Sequence, residues 1–385
     1  MLREWPLDPS VTYLNHGTVG VTPRRVLAAQ QQIRDEIERQ PSRALLRELA
    51  EAGLGRQDGK PFRLRTAADA VASFLGASGA DLVFVDNVTA GVTAVLRSFS
   101  FEPGDEILMS DLAYGGVARA AQQVARERHA AIRTATMPVP FRGADLTEAY
   151  EQAVTPKTRL AIVDHITAES ALLLPLAGIA ARLQGRGVAV LADGAHAPGA
   201  IAVDIPSLGV DWYAGNLHKW AWVPRSSGIL WVAPERQTGL HALVPSWGLD
   251  RGFTTEFDWP GTRDPSAHLA APAAIALFDE WGIDGIRAYN HELAWTGARL
   301  LAERWHSAFD TPEDLIGTMA TVPVPDSLGS SPADAQALRD ALLFEDGIEV
   351  QVHSWRDRIH VRISAQIYNE LADIERLGDA IARRA

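Results

Sequence analysis

Between residues 82 and 232 the chain repeats one pattern, and that pattern narrows the folds open to it more than any other feature. Short apolar runs occur at Leu82–Val85, Ile107–Met109, Ile132–Met137, Leu160–Val163, Val188–Ala192, Trp212–Ala214 and Gly228–Val232. Helical stretches fill several of the gaps. Val88, Val92, Val95, Leu96 and Phe99 share one helical face, and Gly115–Arg128 reads as another helix. Strands separated by helices are joined by crossovers. This predicts an α/β fold with a mostly parallel sheet and helices on both of its faces.

The texture changes on either side of this region. Upstream, Thr22 and Pro23 read as a cap and a first helical residue, and Val26, Ala29, Ile33 and Ile37 recur at helical spacing up to Pro41. Downstream of about Val244, Pro245–Pro265 is aromatic, glycine-rich and without a period, and is expected to be a long functional loop. Leu269–Trp281 and Gly285–Trp305 read as helices. Gly347–Ser364 alternates like antiparallel strands, and a final helix runs to Ala385. The expected organisation is a large α/β domain over residues 20–250. A smaller α+β domain is drawn from residues 251–385 together with the N-terminal segment 1–19.

Composition removes several functions. The formal charge of −12 argues against a nucleic-acid-binding surface, while leaving room for a local basic pocket. The absence of cysteine excludes disulfides, thiolate metal sites and a cysteine persulfide carrier. No signal-like apolar core opens the chain and no run is long enough to span a membrane, so a cytoplasmic protein is expected.

Open α/β sheets bind ligands beyond the carboxyl ends of their strands. Four segments there carry polar residues. Asp86-Asn87-Val88-Thr89 follows a strand and opens a helix, a place that attracts anions. Asp193-Gly194-Ala195-His196 puts an acid at a strand end. Gly215-Asn216-Leu217-His218-Lys219-Trp220 sets one of the chain's few lysines near Trp212, Tyr213, Trp220 and Trp222, where lost hydration lowers the amine pKa. Trp259-Pro260-Gly261-Thr262-Arg263-Asp264 lies in the long loop. Taken singly, each has an ordinary explanation: a helix cap, a turn-capping carboxylate, a surface lysine, an exposed turn. Together, an anion site, a strand-end acid and a lysine 26 residues after it describe a pocket for pyridoxal 5'-phosphate. Rossmann, Walker A, G-x-S-x-G and H-E-x-x-H patterns are absent, and no metal site is expected.

The chain resembles the class V aminotransferase family of fold type I pyridoxal-phosphate enzymes, and within it the isopenicillin N epimerase-like branch. The likeness runs from Tyr13-Leu14-Asn15-His16-Gly17 to Arg362-Ile363-Ser364-Ala365-Gln366-Ile367-Tyr368-Asn369, nearly the whole chain, through Asp-Gly-Ala-His at 193–196 and Leu-His-Lys-Trp at 217–220. It implies a large domain with a mostly parallel seven-stranded sheet and a smaller α+β domain. It also implies a catalytic set of Lys219, Asp193, His196 and Tyr114. Lys219 forms the Schiff base, Asp193 pairs with the ring nitrogen, His196 sits near the ring hydroxyl and Tyr114 stacks on the ring. Val88, Thr89, Asn216 and His218 hold the phosphate, and Thr262 reaches the phosphate of a partner subunit in a homodimer. Arg362 clamps the substrate carboxylate, with Asn15 and His16 among the substrate-binding residues. One departure stands out: Ala168 occupies a position often taken by Asn or Ser in the family.

The resemblance implies reaction at Cα of a small-molecule α-amino acid. Epimerisation or racemisation is the first expectation. C–S β-elimination and transamination are the alternatives. A non-catalytic binding protein for pyridoxal phosphate or another small ligand is the reading from a different class.

Overall fold

In a computed structural model, residues 1–55 and 62–385 are described. The strands, in chain order, are β1 (Thr12–Tyr13), β2 (Leu82–Val85), β3 (Glu106–Ser110), β4 (Ala131–Ala135), β5 (Thr158–Asp164), β6 (Ala189–Gly194), β7 (Trp212–Asn216), β8 (Gly228–Val232), β9 (Met319–Pro323), β10 (Ile348–Glu349), β11 (Gln351–Trp355) and β12 (Arg358–Ser364). Seven of them form the main sheet in the order β2-β8-β7-β6-β5-β3-β4. Every pairing from β7 to β4 is parallel; β8 alone runs against its neighbours β2 and β7. The seven expected strands all form.

Both faces of this sheet are covered, which is why its strands read as unbroken apolar runs. Leu82, Phe84, Ala161, Val163, Val190, Ala192, Tyr213, Ile229 and Trp231 enter one core. The alternate residues Val83, Val85, Leu160, Ile162, Leu191, Trp212, Ala214, Leu230 and Val232 enter a second. A third core lies around the antiparallel sheet β11-β12-β9 and the helices Ile283–Trp305, Pro332–Phe344 and Leu371–Ala382. The N-terminal segment joins that region: β1 pairs with β10, and Asn15 bridges to Ser364.

Three local expectations are corrected. Pro23 caps rather than opens the first long helix, Arg24–Arg39, because its extended ψ of 148° is not helical. Thr22 instead donates its hydroxyl to the Val223 carbonyl. The fourth strand ends at Ala135, not Met137, since Met137 turns away to donate its amide to Asp111 Oδ1. The segment 245–265 is not wholly loop: Phe253–Asp258 is helical and buries Phe253, Glu256 and Phe257 at helical spacing. Six residues are too few for a period to show in the sequence.

Candidate active site

The order of the main sheet makes the site. After β2, the helix Val88–Ser98 crosses to β3 on the far side of β5, β6 and β7, and the carboxyl ends of the strands between are left open to a crevice. Asp164, Asp193 and Asn216 stand at those ends. Asp164 is in register with Asp193, and Gly194 with Gly215. A cavity of about 380 Å³ here is lined by Thr18, Asn87, Val88, Thr89, Tyr114, Asp164, Ala168, Asp193, His196, Asn216, His218 and Lys219, among others. The expected lysine, acid, histidines and helix start are brought together.

Asp193 is 2% exposed. Its Oδ1 accepts the Ala195 amide at 3.0 Å, while Oδ2 is buried without a partner among the described residues. A lone pair left unsatisfied inside a protein is costly unless a ligand donor meets it. Burial raises the Asp193 pKa, and the Ala195 amide and the Lys219 charge oppose that rise. Asp164 is pushed well above the usual carboxylate range by burial and then by the Asp193 charge. Two adjacent buried carboxyls do not both ionise readily, so both are held above the ordinary carboxylate range, Asp164 the further.

Lys219 sits in a reversal of chain between β7 and β8. The amides of Leu217 and His218 both donate to the Ser227 carbonyl, at 3.1 and 3.2 Å. Trp222, at φ 60°, is fixed by a stack on Phe278, centroids 3.8 Å apart. Lys219 Nζ lies 3.1 Å from His196 Nε2, and Trp220 Nε1 donates to His196 Nδ1 at 3.4 Å. Burial and the Arg362 charge lower the lysine pKa to about 7, against the pull of Asp193. The tryptophans act differently from the expectation. Trp220 and Trp222 anchor the reversal, while Trp212 belongs to the core on the opposite face, packed on Phe99. The alternation of β7 turns it away from the lysine.

The helix Val88–Ser98 presents its first turn to the cavity. Asn216 Oδ1 takes the Val88 amide at 3.0 Å and Asn87 Oδ1 takes the Ala90 amide at 3.0 Å. This leaves the Thr89 amide and hydroxyl as the free donors of that turn. Two expected phosphate residues, Val88 and Asn216, are thus bonded to each other. His218 donates Nδ1–H to the Ser227 carbonyl at 3.1 Å, and burial lowers its pKa to about 4, so its other nitrogen is an acceptor.

Arg362 is 4% exposed. It donates to the Ala168 carbonyl, to Thr18 Oγ1 at 2.7 Å and to Asn15 Oδ1 at 3.3 Å, and its Nε is buried without a partner among the described residues. Burial lowers its pKa to about 10, opposed first by Glu169. Thr18 and Ala168, which it touches, line the Lys219 cavity. Asn15 orients the guanidinium and is itself held by Glu349 at 2.7 Å. His16 lies elsewhere. It is fully buried, with Nδ1 2.9 Å from the Tyr368 hydroxyl and Nε2 3.1 Å from the Lys219 carbonyl, so it braces the lysine backbone and does not line the cavity.

Tyr114 is 48% exposed at the cavity rim. Thr262 is outside this cavity; it lines a separate depression with Asp86, Leu243, Val244 and Arg263. Asp164 and Thr18 are cavity residues that the sequence reading missed. For Asp164 the signal was present, a polar residue closing an apolar strand, as at Asp193. Thr18 gave none, because the N-terminal segment reaches the site only through tertiary packing. Gly20 shows how close that approach is: at φ 67°, a Cβ there would lie 1.9 Å from the His218 carbonyl oxygen.

The family model for aminotransferase class-V matches residues 22–377. Isopenicillin N epimerase of Streptomyces clavuligerus is 33% identical over 97% of this chain and 95% of its own length. Putative L-cysteine desulfhydrase 1 of Oryza sativa subsp. japonica is 32% identical over 97% of the chain and 83% of its own. Among solved structures, a lysine-to-alanine mutant of C-DES, with glycine covalently linked to its PLP cofactor, shares the fold at a TM-score of 0.82, with 22% identity over 99% of both chains. The chain therefore belongs to the aminotransferase class-V family, and it is a pyridoxal 5'-phosphate-dependent enzyme.

Proposed function

We propose that the protein acts at Cα of an α-amino acid as an isopenicillin N epimerase-like epimerase or racemase. The observation that carries the reading is the unpartnered, buried Asp193 Oδ2 in the same cavity as a lysine whose pKa is near 7. A carboxylate without a donor fits a protonated ring nitrogen, and an amine that readily gains and loses a proton fits the aldehyde and the work that follows.

When bound, pyridoxal 5'-phosphate would supply the electron sink that makes the bonds at the substrate Cα labile. Asp193 would hold the ring nitrogen, and the Thr89 amide and hydroxyl at the helix start would hold the phosphate, with His218 beside them. Arg362 takes the substrate carboxylate through its planar fork, steadied by Asn15 and Thr18. Lys219 Nζ would exchange the Cα proton on its own face, held in place by neutral His196, and inversion requires a second proton donor on the opposite face. Tyr114 covers the cavity mouth.

C–S β-elimination is the second reading, favoured by the likeness to the plant desulfhydrase. Such a reaction here releases sulfur without a protein persulfide, since the chain has no cysteine. We further propose a cytoplasmic homodimer in which Thr262 completes the partner's phosphate site; among the described residues no helix is long and apolar enough to cross a membrane. The division into residues 20–250 and 1–19 with 251–385 is likewise our proposal; the separate third core supports it for Leu14 and residues 293–381, while Trp5 and residues 253–286 pack into the two cores of the main sheet.

The test is an amino-acid screen in D₂O that follows Cα deuteration, stereochemistry, 2-oxo acid and sulfide together. Deuterium gain with inversion at Cα is expected for at least one amino acid. Sulfide and 2-oxo acid from cysteine without inversion of any substrate would give the lyase reading its place. Exchange with none would overturn both.

A further inference from the structure

A second cavity, of about 360 Å³, lies against the same region from the side of the antiparallel sheet β11-β12-β9. Its lining shares two strips of chain with the Lys219 site. Asp111–Ala113 runs into Tyr114, and Glu169-Ser170 follows Ala168. Its floor is one face of the small sheet. His360 is in register with His353 on one side and Pro323 on the other, and Arg362, two residues along β12 from His360, belongs to the same face beside Thr321. Arg362 therefore stands between the two cavities. Its charge acts on Lys219 and His196 on one side and on His353 on the other.

We propose that this second cavity is the subsite for the distal part of the substrate's side chain. This rests on the reading of Arg362 as the carboxylate clamp of an amino-acid enzyme. With the head group at Arg362, a side chain directed along the sheet face enters the second cavity. The occupant is a long, uncharged side chain, largely apolar or aromatic, with one hydrogen-bonding group.

The lining sets that chemistry. Phe141 and Trp355 stack at 5.9 Å, and Phe309 adds a further apolar wall. The cations present are already engaged: Arg356 pairs with Asp111 at 3.1 Å and lies over Trp355, and Arg358 pairs with Asp326 at 2.9 Å. An anionic side chain thus finds no free partner among them, and the acids Glu169 and Asp310 stand at the exposed rim of the cavity. His353 is 8% exposed, and its Nδ1 is buried without a partner among the described residues. Burial holds its ring neutral, so Nδ1 can serve a hydroxyl or amide of the ligand. A short side chain such as a thiol would leave this nitrogen unmet and the aromatic wall bare.

The test uses the holoenzyme and ligands that lack an amino group and so cannot react. Dissociation constants are measured by calorimetry for acetate and for ω-phenylalkanoates of increasing chain length, plain and 4-hydroxylated. The best chain length should bind at least tenfold more tightly than acetate. Ala308→Trp, which places a ring at the cavity mouth, should abolish that gain while acetate binding is unchanged. His353→Leu should abolish the preference for the hydroxylated series. If no chain length improves on acetate, or the gain survives both substitutions, the subsite is overturned. Borohydride labelling of Lys219 in the same preparation separates the two readings. A labelled lysine with no chain-length gain removes the subsite alone, and an unlabelled one removes the cofactor reading and the subsite with it.

Discussion

Lys219 Nζ and His196 Nε2 are 3.1 Å apart, and the other nitrogen of that imidazole faces the indole N–H of Trp220. An indole only donates, so His196 Nδ1 must accept. The ring is neutral because burial, followed by the Lys219 charge, holds its pKa well below the usual histidine range. Its single proton therefore sits on Nε2 and is donated to the lysine. An ammonium has no lone pair to receive it, so this arrangement selects the free amine, the form that attacks a carbonyl.

A pH dependence follows. The free amine is the nucleophile, and its pKa is lowered to about 7 from the ordinary 10.5. The rate at which cofactor-free protein captures pyridoxal 5'-phosphate should rise with pH and level off above a midpoint near 7. Stopped-flow absorbance measures it. His196→Phe removes the donor that favours the free amine, so the midpoint should move upward.

Asp193→Asn separates charge from shape. The Ala195 amide keeps an acceptor, and a buried unpaired carboxylate disappears, so the cofactor-free protein should melt no lower than the parent. The stabilisation gained on adding cofactor should shrink. Turnover should fall roughly 10- to 150-fold, matching about 1.5–3 kcal/mol for a lost charged hydrogen bond. Calorimetric melting with and without cofactor, alongside kinetics, checks both parts.

Arg362→Lys should behave much like Arg362→Ala. An ammonium cannot reach the Ala168 carbonyl, Thr18 and Asn15 and still offer a fork to a carboxylate. Both variants should raise KM and lower kcat while retaining the bound-cofactor absorbance. Steady-state kinetics on any accepted amino acid provides the comparison.

His16→Phe should loosen the lysine without touching the cavity. It removes the bond to the Lys219 carbonyl and leaves the buried Tyr368 hydroxyl unpartnered, a loss of about 1–3 kcal/mol. A lower thermal midpoint and weaker cofactor retention are expected, read by scanning calorimetry and dialysis. A variant as stable as the parent would show that the brace is dispensable.

Much of this was legible in the sequence because the main sheet is buried on both faces. Apolar runs such as Leu160–Val163 mark its strands, and the polar residues that close them fall at the crevice. The acid Asp193 and the lysine Lys219 could be read together because both lie at adjacent strand ends. What could not be read came from tertiary packing. Thr18 and His16 reach the site only because the N-terminal segment pairs with the far end of the chain. Val88 and Asn216 were expected to face a phosphate, but no local signal told that they would bond to each other. Trp212 was misplaced beside the lysine because sequence proximity hides the alternation of a strand.

The central claim is that Lys219 carries the cofactor. The chain has three lysines, Lys60, Lys157 and Lys219, so the assignment can be made cleanly. Borohydride reduction of the holoenzyme, followed by proteolysis and mass spectrometry, reports which one holds the reduced pyridoxyl group. The account predicts loss of the visible absorbance and a single modified peptide containing Lys219. A pyridoxyl group on Lys60 or Lys157, with Lys219 unmodified, would contradict it.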